Sequence, residues 1–141
     1  MIITVINGPN LNKLGERDPG KYGNFTLESL NSLIRNEFSD IEFDFFQSNV
    51  EGEIINKIQE ISGISDALII NPGGYSHTSV SIKDALELLK MPKIEVHLSN
   101  IAARENYRNF SITASATNGY ISGFKELSYM SAVYLIKKIL N

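Results

Sequence analysis

Along this chain, short runs of β-branched and other apolar residues alternate with stretches in which apolar residues return every three or four positions. Ile2 to Asn7, Ile41 to Gln47, Ala67 to Asn71, Ile94 to Leu98 and Tyr120 to Ser122 have the length and composition of strands. Between them Leu27, Leu30, Leu33, Ile34 and Phe38 recur at helical spacing, as do Ile54, Ile58 and Ile61, then Val80, Leu86 and Leu89, and finally Leu127, Met130 and Tyr134. Each stripe predicts a helix packed by that face onto a core. The alternation runs through all 141 residues without an internal repeat, a low-complexity tract or a linker-like break. It predicts a single α/β domain over residues 1–141, a three-layer flavodoxin-like fold around a five-stranded parallel sheet. In such folds the loops leaving the carboxyl ends of the strands converge on one crevice, so the segments after Asn7, Asn71 and Leu98 are expected side by side. All three are polar.

Composition narrows the partners. Hydrophobic residues make up 43% of the chain and charged ones 21%, enough apolar material for a sizeable core. Thirteen basic against sixteen acidic side chains leave a net charge of -3, and no basic run exceeds two residues, which argues against nucleic acid and for a small-molecule partner. The opening Met1 to Ile6 carries no basic leader and is too short to span a bilayer, so a cytoplasmic protein without a membrane partner is the expectation. Zero cysteines remove disulfides, thiolate nucleophiles and cysteine zinc sites. Without a secretory signal, the sequons at Asn24 and Asn109 are not glycosylation predictions.

The densest chemistry follows the third strand, where Asn71-Pro72-Gly73-Gly74 runs into Tyr75, Ser76, His77, Thr78 and Ser79. Pro72 ends the strand, the glycines free the backbone, and five donors and acceptors precede a helix. This reads as a ligand-holding turn; the plainer alternative is a solvated connection with Ser79 or a neighbour as helix N-cap. After the first strand, Asn7-Gly8-Pro9-Asn10-Leu11-Asn12 opens a connection of roughly twenty residues without clear periodicity, which reads as a lid carrying Arg17 and Tyr22. A phenol is ordinarily protonated at neutral pH, but a cation about 4 Å away supplies roughly 4 kcal/mol at an effective dielectric near 20, enough to make a base of it. The alternative is a surface arginine and a tyrosine that merely packs.

The fourth strand ends Glu95-Val96-His97-Leu98-Ser99-Asn100, and the two-residue period puts Glu95 and His97 on one face. A carboxylate beside an imidazole fixes its tautomer and favours the protonated ring, which suits His97 to general acid catalysis; a hydrogen-bonded core histidine is the alternative. Ser99 with the neighbouring amides is placed to grip a carboxylate. Arg104 and Arg108, four apart on a short predicted helix, either face the same pocket or lie in solvent.

Together these segments resemble type II 3-dehydroquinate dehydratase over nearly the whole chain. The resemblance rests on Asn7-Gly8-Pro9-Asn10-Leu11-Asn12, on Leu14-Gly15 leading to Arg17 and Tyr22-Gly23, on Asn71 to Ser79, on Asp84-Ala85, on Glu95 to Asn100, and on Ala103-Arg104-Glu105 followed by Arg108. It implies a flavodoxin-like subunit, trimers assembled into a homododecamer, no cofactor and no metal, and trans dehydration of 3-dehydroquinate to 3-dehydroshikimate through an enolate on the shikimate route to chorismate. By the same resemblance, Tyr22 activated by Arg17 removes a proton beside the ketone, and a water near Asn10 stabilises the enolate. His97, held by Asn71 and Glu95, protonates the departing hydroxyl. Ser99 and the Leu98–Ser99 backbone bind the substrate carboxylate, Arg108 and His77 grip ring hydroxyls, and Asp84 reaches a neighbouring subunit's site. The chain departs from the family at Ala102 and Asn109, where histidines are usual, and is less similar over Ser111 to Tyr120.

Rival readings are weaker. A flavodoxin-like phosphate or nucleotide-binding module without catalysis would want phosphate-nest spacing, but the glycines lack it and Pro72 removes an amide. A metal-assisted hydrolase through His77, His97 and Asp84 or Glu95 has no ligand motif, and a serine hydrolase through Ser76 has no Gly-x-Ser-x-Gly elbow.

Overall fold

A computed structural model describes residues 1–141. Five strands, β1 (Ile2–Asn7), β2 (Glu42–Gln47), β3 (Ala67–Asn71), β4 (Lys93–His97) and β5 (Gly119–Ser122), form one all-parallel sheet in the order β2-β1-β3-β4-β5. The predicted strands are all present, with starts differing by one residue in β2, β4 and β5. Parallel strands need crossovers, and here α2 (Leu27–Glu37), α3 (Glu51–Glu60), α4 (Val80–Leu88) and α5 (Glu126–Leu140) cover the two faces. A short α1 (Pro19–Tyr22) lies in the long first connection.

Period-two alternation divides the core. Ile3, Val5, Ile69 and Val96 pack with Leu30 and Ile34 of α2 and with Tyr129, Ala132, Val133 and Ile136 of α5. Ile6, Leu68 and Ile70 turn the other way, onto Ile54 and Ile58 of α3 and Ile82 and Leu86 of α4. Local chemistry sets the helix starts: Thr26 and Ser29 form a reciprocal capping box on α2, and Ser79 Oγ accepts from Ile82 N to cap α4.

Four predicted core positions face solvent instead. Leu33 and Val80 are exposed, and the predicted face of α5 is only partly right: Met130 packs against the core, but Leu127 and Tyr134 are more than half exposed, whereas Tyr129, Ala132, Val133 and Ile136 are buried. That helix is apolar on more than one side, so spacing alone does not say which side meets the sheet. No helix is long and apolar enough to cross a membrane.

At the carboxyl edge, Asn7 of β1 pairs in register with Asn71 of β3. The loops that follow are locked together: Gly8 N donates to Asn71 O at 2.7 Å, and a Cβ on Gly8 would stand 2.4 Å from Pro72 O, so only glycine fits.

Candidate active site

The loops after β1, β3 and β4 line one half-open cleft. Arg17 and Tyr22 come to it from the first connection, where Asp18 Oδ1 accepts from Gly20 N and Pro19 starts the four-residue α1 that ends at Tyr22. The Arg17 guanidinium carbon lies 3.6 Å from the centre of the Tyr22 ring, so the two residues of the predicted lid do meet. Arg104 approaches the same ring at 5.3 Å. Burial holds Arg17 below the usual arginine value, and the Arg104 and Arg108 cations push the same way, while contact with Tyr22 opposes the shift. Asn10 lines the opening with its backbone in the left-handed region at φ 70°, its amide bonded to Asn49 Oδ1 at 3.0 Å.

His97 closes the cleft from the end of β4. Its Nε2 lies 2.8 Å from Oε2 of the fully buried Glu95, as the shared strand face predicts. With Glu95 a carboxylate, which only accepts, Nε2 carries the proton and Nδ1 is the nitrogen left for the cleft. Ser111 Oγ donates to Glu95 Oε2 at 2.7 Å, and Thr113 Oγ1 donates to Oε1. These hydroxyls come from a segment to which the sequence reading gave no role, and nothing in their type or spacing singles them out.

The glycine turn, a 3-10 helix over Gly73–His77, contributes less than its polarity suggests. Ser76 is fully buried and donates to Gly73 O, Tyr75 OH donates to Asn49 O, and Ser79 is a helix cap, so the plainer reading of the turn holds in part. His77 does line the cleft, its ring 6.3 Å from that of His97 with 25° between the planes. Its Nδ1 meets Phe110 O at 2.9 Å; a carbonyl only accepts, so Nδ1 is protonated and Nε2 is free. Asn71 also lines the cleft but does not hold the His97 imidazole: its Oδ1 accepts from Gly73 N, and its Nδ2 donates to the Tyr129 hydroxyl. That hydroxyl in turn donates to Asn7 Oδ1.

Arg104 and Arg108 both line the cleft, though not from one helix: 3-10 turns at Ile101–Ala103 and Asn106–Arg108 flank an extended Arg104. Arg104 Nη1 donates to Ser99 Oγ at 3.2 Å, and Arg108 Nε donates to Glu105 Oε2 at 2.7 Å. Leu98 and Ser99 lie along the same wall. Asp84 is on the exposed side of α4, outside this cleft. Three guanidinium groups around an opening that no carboxylate lines suit a small anionic ligand.

The class II dehydroquinase family model matches residues 1–137. The chain belongs to the class II dehydroquinase family. A 3-dehydroquinate dehydratase of Clostridium botulinum is 52% identical over 136 residues, which are 95% of this chain and 92% of that one. One from Aliarcobacter butzleri is 48% identical over 143 residues, spanning 100% of this chain and 87% of its own. Among solved structures, the type II dehydroquinase of Butyrivibrio crossotus superposes with a TM-score of 0.94 at 44% identity, over 97% of both chains. That of Propionibacterium acnes gives 0.91 at 34% identity, over 96% of both. The five-stranded fold of this chain is therefore the one that solved class II dehydroquinases share.

Proposed function

We propose that this chain, acting as one catalytic domain over residues 1–141 in the cytoplasm, dehydrates 3-dehydroquinate to 3-dehydroshikimate on the route to chorismate. The observation that carries the reading is the meeting, in one cleft, of Arg17 stacked on Tyr22 with a His97 whose Nε2 is committed to Glu95. One pair supplies a base and the other an acid, as an elimination needs.

In the proposed sequence the Tyr22 phenolate takes a proton from the carbon beside the ketone. The C–H electron pair moves into an enolate, whose charge is stabilised by a water held near Asn10. The enolate then collapses: the ketone C=O re-forms, a C=C bond forms, the C–O bond to the leaving hydroxyl breaks, and His97, entering the step as the imidazolium with a proton on each nitrogen, gives that oxygen its Nδ1 proton so that it departs as water. Proton return from Tyr22 to His97 through solvent resets both groups. Ser99, Leu98 and Arg108 bind the substrate carboxylate and a hydroxyl, and Nε2 of His77 takes a second hydroxyl. Asn71 supports this floor through the turn rather than through the imidazole.

Assembly as a dodecamer built from trimers belongs to the same reading. The exposed Leu127, Tyr134, Leu135 and Ile139 of α5 favour a covered face, and Asp84, outside its own cleft, has a role if it enters a neighbour's. A sedimentation mass twelve times that of the chain is expected, and a monomer contradicts this part. The binding-module alternative is not favoured, because a phosphate holder does not need the acid and base pairs. Purified protein kept in chelator should convert 3-dehydroquinate with the rising ultraviolet absorbance of a conjugated enone; a flat trace contradicts the proposal.

A further inference from the structure

We infer that Ser111 and Thr113 are positioning residues for proton delivery by His97, acting through Glu95. The inference rests on the proposed dehydration and extends it to a segment that carries no assigned role. Glu95 is wholly inaccessible to solvent, so no water orients its carboxylate. What fixes it are the two hydroxyls, Ser111 on Oε2 and Thr113 on Oε1, together with the imidazole. Ser111 Oγ already accepts from Ala114 N at 3.1 Å, and its other polar neighbours, Ser76 O and Thr113 Oγ1, stand at 3.5 and 3.4 Å. Its proton is thereby directed to the carboxylate at 2.7 Å. Thr113 is fully buried at the start of the 3-10 turn Thr113–Ala116, where water cannot replace the bond its hydroxyl donates to Glu95 Oε1.

The same strap reaches the other imidazole. Ile112 N donates to Ser76 O at 2.7 Å, and Phe110 O takes the Nδ1 proton of His77. Residues 110 to 113 thus orient both cleft imidazoles, presenting the Nδ1 side of His97 and Nε2 of His77 to the substrate. A carboxylate freed from Ser111 and Thr113 can rotate and carry the His97 ring with it. The proton is then misdirected at the leaving hydroxyl, while the Tyr22 step, on the opposite side of the elimination, is untouched.

The test compares two rates in deuterated buffer: elimination, and exchange of the proton beside the ketone in recovered 3-dehydroquinate. In Ser111→Ala/Thr113→Val, elimination should fall about 10- to 100-fold. KM should change less than about twofold and exchange should persist, so that the ratio of exchange to elimination rises by the same factor; Thr113→Ser should restore most of the loss. Elimination within about twofold of wild type, or exchange falling in step with elimination, overturns the inference, since a general loosening slows both. Ser111→Ala alone, at a half-buried position, is judged by the same ratio if the double variant does not fold. A wild-type protein that neither exchanges nor eliminates contradicts the dehydratase reading itself, a result distinct from an unchanged ratio in an active enzyme.

Discussion

The guanidinium of Arg17 lies against the face of the Tyr22 ring, 3.6 Å from its centre, rather than only at its hydroxyl end. A planar cation in this position stabilises negative charge delocalised over the ring as well as on the oxygen. A lysine ammonium keeps the charge but loses the stacking. Arg17→Ala should lower kcat by about 10²- to 10³-fold, the equivalent of roughly 3–4 kcal/mol, and Arg17→Lys should recover part of the loss. Steady-state kinetics on the two variants checks this; an Arg17→Lys enzyme working at the wild-type rate would mean that the face-on geometry is immaterial.

Glu95 accepts from three donors, which no amide can do in the same orientation. Glu95→Gln should cut kcat by about 10- to 100-fold and cost about 1–3 kcal/mol of folding stability, because one buried group loses its partner. Kinetics and urea denaturation read the two effects separately. Unchanged kcat would detach Glu95 from proton delivery.

Tyr129, on the last helix, ties Asn7 to Asn71 beneath the cleft, beside an Asn7 Nδ2 that has no partner of its own. Tyr129→Phe leaves a buried acceptor and a buried donor unpaired and should destabilise the fold by about 2–3 kcal/mol in urea. Burial raises the phenol well above its ordinary value, against the opposing hydrogen bond from Asn71. The folded state therefore holds this proton more tightly than the unfolded chain. The contribution is complete below about pH 10 and declines as pH rises beyond it, because the unfolded phenol ionises first. A Phe variant with the wild-type alkaline stability profile would contradict this.

At the acidic end Glu105 is the informative group. A hydrogen bond from its own backbone amide, followed by Arg108, holds its carboxyl at about 2 against an ordinary 4.5. Its folded value is depressed, so the stabilising contribution is present above about pH 4.5 and disappears as pH falls through about 2. Arg108 should thus stay oriented at the cleft throughout mildly acidic buffers. A carboxyl-carbon NMR titration should give Glu105 a midpoint near 2, whereas one near 4.5 would show the pair to be loose.

Local rules were enough to find the crevice. Period-two alternation brought Glu95 to His97, parallel-sheet topology put the loops after Asn7, Asn71 and Leu98 together, and the lid pair Arg17 and Tyr22 met. What local rules missed depends on tertiary contacts. Ser111 and Thr113 reach Glu95 across sixteen and eighteen residues, and Asn71 turns to Tyr129, fifty-eight residues away, instead of to the imidazole. The α5 stripe failed in part for another reason. Leu127 and Tyr134 are as apolar as the residues that are buried, and only packing against β3 and β4 selects the face carrying Tyr129 and Val133.

The proposed division of labour, with Tyr22 starting the elimination and His97 finishing it, is tested most directly by Tyr22→Phe, which removes one oxygen from the cleft. In chelator-treated preparations followed by enone absorbance from 3-dehydroquinate, the wild type should turn over, and the variant should be slower by about 10²- to 10⁴-fold with unchanged circular dichroism. A folded Tyr22→Phe protein working at the wild-type rate would contradict the account.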